Sequence, residues 1–141
     1  MNNLLTAIYS KFSDSAFSSD VGGRIFLDQA PDGVEFPYCC FFIVTGSPDK
    51  TFTEHYTDTL IQFSLFSASS GATEITTMYK DLKALFDECA LTIPPTGTAT
   101  DTLIWCREAN LTTMMEDITV ADAIQQVKHW SVDFEVRTSL N

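Results

Sequence analysis

His55 and His129 are the two histidines of this 141-residue chain, and imidazole is the side chain whose ordinary pKa best suits proton transfer near neutrality. An enzyme built on either would also need a nucleophile, a partner acid or base, or metal ligands at matching spacing. Each histidine falls in a stretch that alternates like a β-strand, with no recognisable motif around it. His129 shares its polar side with Asp133, but four residues of extended chain span about 13 Å, too far for a hydrogen bond. Both are expected to be surface histidines. The four cysteines, Cys39, Cys40, Cys89 and Cys106, form no CxxC pair and have no histidine at zinc-finger spacing. Cys39 and Cys40 are neighbours in a strand-like run, so they point to opposite faces and cannot jointly hold one ion. They read as buried, reduced thiols. Phosphate-cradling, nucleophile-elbow and HExxH patterns are missing, and Gly22-Gly23 lacks the following helix that would let it hold a phosphate. The expectation is therefore no catalytic residue, no cofactor and no metal.

What is left for function is contact with partners. Residues 45–54 carry Phe52 among polar neighbours, with Lys50 close by, and residues 111–118 set Leu111, Met114, Met115 and Ile118 beside Glu116 and Asp117. Methionine repacks readily against different shapes, and exposed apolar residues mark binding surfaces. Lys50, Phe52, Leu111, Met114, Met115 and Ile118 are thus the candidate partner-interface residues, with edge-strand or core packing as the competing explanation. Nineteen acidic against eight basic residues give a net charge of −11. Such a surface repels nucleic acid and counts against phosphate-neutralising binding, while remaining compatible with DNA that slides past without sticking. The longest strongly apolar run, Tyr38–Val44, is far short of the roughly 20 residues that span a bilayer. No basic segment precedes the first apolar residues, so neither secretion nor a membrane span is expected.

The elements that must position these residues follow from periodicity. Leu5, Ile8, Tyr9 and Phe12 have the spacing of an amphipathic helix over 2–13, fading into a Ser-, Asp- and Gly-rich loop to residue 23. A short strand is expected at 24–27 and a turn at Ala30-Pro31-Asp32-Gly33. An interior strand apolar on both faces follows at 36–45, then a loop through Gly46-Ser47-Pro48-Asp49-Lys50. From His55 to Ser67, Ile61, Phe63 and Leu65 share one face while Asp58, Gln62 and Ser64 share the other. Residues 72–89 form the clearest helix, with Ile75, Met78, Tyr79, Leu82, Leu85, Phe86 and Cys89 on one stripe. A Pro-containing turn at 92–97 precedes a strand at 103–107. Residues 109–126 are ambiguous: 111–115 reads as a strand extension and 118–124 as a loop or short helical turn. The closing strand sets Trp130, Val132, Phe134 and Val136 against His129, Ser131, Asp133, Glu135 and Arg137, ending four residues before the C-terminus. The chain reads as one α+β domain over 1–141, a mostly antiparallel sheet packed against two helices in the order α-β-β-β-α-β-β.

This pattern resembles the tail-completion and tail-terminator proteins of long-tailed bacteriophages. The likeness is carried by the N-terminal helix with Leu4, Leu5 and Ile8, by the strand 60–66 running through Ser-Gly into the helix 72–89, and by the closing strand 130–137. It implies a structural protein of the virion, assembled in the host bacterial cytoplasm. Roughly six copies would form a homo-oligomeric ring at the neck. One face of that ring would meet the tail tube protein and the other a head-completion or connector protein, with a lumen for genomic DNA. Two alternatives stand beside it: a head-side adaptor or minor tail protein of the same particle, and, from a different class, a small cytoplasmic α+β enzyme or ligand-binding module.

Overall fold

A computed structural model of the chain describes residues 2–95, 101–120 and 123–140. Three helices, α1 (Asn2–Lys11), α2 (Ala16–Asp20) and α3 (Thr73–Phe86), accompany five strands. The strands are β1 (Ile25–Leu27), β2 (Tyr38–Lys50), β3 (His55–Ser67), β4 (Asp101–Val120) and β5 (Ala123–Leu140). They form one sheet in the order β1-β2-β3-β5-β4. β1 lies parallel to β2, and the other neighbours are antiparallel. The fold is α+β, as the alternating and helical periods imply.

Alternation along the strands sends Cys39, Phe41, Ile61, Phe63, Leu65, Val132, Phe134 and Val136 to one face, where all are buried. α1 delivers Leu4, Ala7 and Ile8 to that face, α2 delivers Phe17, and α3 delivers Ile75, Met78, Leu82 and Phe86. Phe63 sits at the centre. Its ring lies within 5.0–6.0 Å of those of Phe12, Phe41, Phe86 and Phe134. Burying each large α3 side chain contributes about 1.5–3 kcal/mol before chain entropy is counted, which is why the longest amphipathic helix packs on the middle of the sheet.

Several expectations are corrected. The loop foreseen before residue 23 contains α2, which starts because the Ser15 hydroxyl accepts the Ser18 amide at 3.0 Å. Gly22 and Gly23 take φ of +59° and +74° in the turn that follows, a backbone need that accounts for the pair. Residues 46–50 are not a loop. β2 runs on through Pro48 to Lys50 because each position pairs with β3, from Gly46 opposite Thr59 to Lys50 opposite His55. The ambiguous 109–126 segment is mostly extended, and β4 and β5 make a long hairpin from Asp101/Leu140 to Val120/Ala123. β5 continues past Arg137 to Leu140, and α3 stops at Phe86, leaving Cys89 outside it. Tyr9, placed on the buried stripe of α1 by its spacing, is 56% exposed. The turn expected over 92–97 falls partly outside the described residues.

β3 ends at Ser67 opposite Lys128, so beyond that point β4 and β5 pair only with each other, as a two-stranded arm from Glu116/Val127 outward. At the other end of the sheet, β2 and β3 join through residues 51–54.

Phe63→Ala should lower the unfolding free energy by about 3–5 kcal/mol in urea titrations, because the cavity lies among four fixed rings. Phe52→Ala, at an exposed tip, should change it by less than about 0.5 kcal/mol. Similar losses for the two would mean that the aromatic cluster is not what holds the helices to the sheet.

Candidate interaction site

The three helices cover the Phe63 face, and the opposite sheet face carries no helix among the described residues. One cross-strand row on it is aromatic. Tyr38 pairs with Phe66, Phe66 with His129, and His129 with Met114. The rings are stacked, Tyr38 on Phe66 at 4.7 Å and Phe66 on His129 at 4.3 Å, with Phe36 tilted against Tyr38 at 5.3 Å. Register set by the turns, not local sequence, brings these residues together.

His129 is not the surface histidine expected from the sequence. Its side chain is 15% exposed, and its Nδ1 lies 3.0 Å from Glu116 Oε1, an acid contributed by β4. Its Nε2 lies 3.4 Å from the Ser131 hydroxyl, which also accepts the Gln62 amide at 3.3 Å. The order serine, histidine, glutamate is that of a nucleophilic triad, but the surroundings do not complete one. β5 is paired on both sides, with β3 and β4, so the amides around Ser131 are committed to the ladders and cannot hold an oxyanion. Ser131 is itself buried in the sheet.

The next cluster lies towards the β2–β3 turn. The Arg137 guanidinium donates to both Asp58 carboxylate oxygens at 2.7 Å and to Asp49 at 2.9 Å, joining β5 to β3 and β2. These charge-assisted bonds hold the Asp58 carboxyl below the usual range. The Trp105 ring is approached by the guanidinium groups of Arg107, at 4.4 Å, and Arg137, at 4.8 Å. Both cations on this part of the face are thus occupied, Arg107 also by Glu135 at 3.9 Å. Between the two clusters, Asp133 Oδ1 is shielded and without a hydrogen-bond partner, and burial pushes that carboxyl up.

Residues 28–36 fold along the margin of this face and make a groove of about 730 Å³. Its floor includes Tyr38, Phe42 and Phe66, its wall Val34 and Phe36, and its rim Asp28, Asp32 and Glu35. Arg24 fixes the end of the segment by donating to the Pro37 carbonyl at 3.0 Å.

The six candidate interface residues do not form one patch. Lys50 ends β2, is exposed and makes no ion pair among the described residues. Phe52 stands at the apex of the β2–β3 turn, 110% exposed. The other candidates lie in a strand, not the expected loop. Met114 pairs with His129 on the uncovered face, whereas Met115, one position on, points to the other side; they are 37% and 56% exposed. Leu111 packs against the core, which is the competing explanation realised. Ile118 pairs with Gln125 in the arm, and its side chain lies outside the described residues. Sequence reasoning missed Tyr38, Phe66 and the groove. The available signal was the run Phe36–Phe42, aromatic on both strand faces although one face meets no helix.

Elsewhere, Asp20 and Asp81 bring two carboxyls together where α2 meets α3. Burial, then the hydrogen bond and charge of Asp81, push Asp20 up to about 6. Asp20 Oδ2 has no other hydrogen-bond partner, so the contact is satisfied when one carboxyl keeps its proton. Among the described residues, no group of three or more His, Cys, Asp or Glu side chains could hold a metal ion. No described helix is long and apolar enough to cross a membrane.

The family model described as "Tail completion protein gp17" matches residues 6–139. No curated protein matches the chain. Among solved structures, a chain from "Virion of native gene transfer agent (GTA) particle" superposes with a TM-score of 0.69 at 13% identity, over 95% of this chain and 92% of that one. At that identity the likeness is one of fold.

Because folding raises the Asp20 pKa from 3.8 to about 6, the folded chain holds that proton more tightly than the unfolded one. The pair therefore favours folding below about pH 4, and that contribution is lost as pH rises through about 6. Asp81→Asn should be more stable than the parent at pH 7, with the difference shrinking by pH 4, as read from denaturation midpoints. A pH-independent difference would show that the carboxyls do not share a proton.

Proposed function

The chain belongs to the tail completion protein gp17 family, and from that premise we propose that it is a structural component of a tailed, phage-like particle. Acting as one domain, it would form a ring of roughly six copies at the neck that terminates the tail tube and joins the tail to the head-completion complex. The observation that carries this reading is the family match over residues 6–139, supported by the fold shared with a gene transfer agent virion chain. Its mechanism would be complementary surface and symmetry. A face rich in stacked aromatics, an open two-stranded arm and an exposed Phe52 supply contact area, whereas the Ser131–His129–Glu116 array lacks oxyanion donors. The net charge of −11 suits a lumen through which genomic DNA passes without specific binding. On this reading the protein resides in the virion and assembles in the host bacterial cytoplasm. A position as head-side adaptor or minor tail protein of the same particle is separated from the terminator position by cross-linking to the tail tube protein.

Particles produced without this protein should appear in negative-stain micrographs as filled heads beside unjoined tails of irregular length, and adding the purified chain should restore joining. Normal tailed particles in its absence would refute the assignment. Light scattering on the purified chain should give, when assembled, about six times the 15.7 kDa subunit mass. A stable dimer instead would count against a closed ring.

A further inference from the structure

Phe52 and the groove beneath residues 28–36 are the two most conspicuous unpartnered features of the molecule, and they are complementary. The turn at the tip is closed by its own hydrogen bonds. The Thr51 amide donates to the Glu54 carbonyl at 2.9 Å, and the Glu54 amide donates to the Thr51 hydroxyl at 3.0 Å, which closes the turn with the Phe52 ring outside it. Lys50 and His55 face each other at the base of the turn, and Lys50 has no carboxylate partner among the described residues. The groove offers the reverse: an aromatic floor of Tyr38, Phe42 and Phe66 under a rim of Asp28, Asp32 and Glu35, none of which makes an ion pair among the described residues. An aromatic knob flanked by an ammonium thus has a hole of matching chemistry.

The two cannot meet within one molecule. Tyr38 opens β2 at the groove and Lys50 closes it at the tip, twelve steps that span about 40 Å of extended strand. We propose that the 50–55 tip of one copy of this chain inserts Phe52 into the 28–36 groove of a second copy, with Lys50 meeting the acidic rim. Knob and hole are different surfaces at opposite ends of the sheet, so when the contact repeats in one sense from copy to copy it is heterologous. An open row of copies keeps one free knob and one free hole, at its two ends, until a ring closes. This deepens, and rests on, the ring reading above by naming the surface through which copies join. Glu54 is the one acid in the turn itself, and its backbone N–H and C=O are both held by Thr51.

The test places a photoreactive benzoylphenylalanine at position 52 of the full chain, mixes ¹⁴N- and ¹⁵N-labelled protein, and irradiates over a range of concentrations. Isotopically mixed cross-links from position 52 to peptides containing residues 28–38 or Phe66 are expected. In sedimentation, Phe52→Ala should weaken self-association by about thirtyfold. Lys50→Glu should weaken it by about tenfold, and Asp32→Lys with Glu35→Lys in the Lys50→Glu background should restore it. Assemblies whose position-52 cross-links map to other surfaces would overturn this contact and leave the ring itself standing. A chain that stays monomeric at every soluble concentration would overturn the contact too, because tip and groove are both preformed; the ring would then be read separately, from micrographs of particles.

Discussion

Phe63 touches four other phenylalanine rings at once, and through them it ties α1, α3 and the strands β2 and β5 to one point. Each ring gains from burial and from edge-to-face or offset contact with its neighbours. Strand alternation fixes which face of the sheet can offer such rings, so all three helices are drawn to that side. α3 arrives with Ile75, Met78, Leu82 and Phe86, and α1 with Leu4 and Ile8, followed by Phe12 just beyond its end. The consequence is an asymmetric sheet in which one face is sealed by the helices and the other carries no helix among the described residues.

The open face is organised by a different set of forces. Stacked Tyr38, Phe66 and His129 cross three strands, and Arg137 pins β5 to β3 and β2 through Asp58 and Asp49. Carboxylates and rings occupy both arginines near the β2–β3 turn, and at the opposite end the groove acids Asp28, Asp32 and Glu35 make no ion pair among the described residues. A surface of this kind repels phosphate and favours a partner that brings apolar and basic groups together. On the same face a serine, a histidine and a glutamate sit within hydrogen-bonding distance of one another. Ser131 and His129 lie on β5, whose amides are paired with β3 and β4, whereas Glu116 comes from the edge strand β4.

Much was legible in the sequence because it is local. The stripe Ile75, Met78, Leu82, Phe86 specifies a helix, and the alternations Ile61, Phe63, Leu65 and Val132, Phe134, Val136 specify strands and their buried face, whatever the rest of the chain does. The family pattern, which rests on the same elements, was legible for the same reason, and so was the prominence of Phe52 among polar neighbours. The sequence by itself also determined the acidic balance and the opposite facing of Cys39 and Cys40.

Tertiary structure alone decided the rest, because pairing between distant segments is invisible to a window of neighbours. Gly46-Ser47-Pro48 is a poor strand by propensity, yet it is held extended by residues 57–59 across the ladder. Residues 110–120 have no clean period, and their partner strand imposes one. His129 looks partnerless along its own strand and finds Glu116 only through the β4–β5 register. The groove is formed by residues 28–36, of which only the turn at Ala30-Pro31-Asp32-Gly33 is legible locally, folded over rings contributed by two strands. In each case the deciding energy comes from contacts between residues far apart in sequence, set by strand register and by the single face that the phenylalanine cluster could bury.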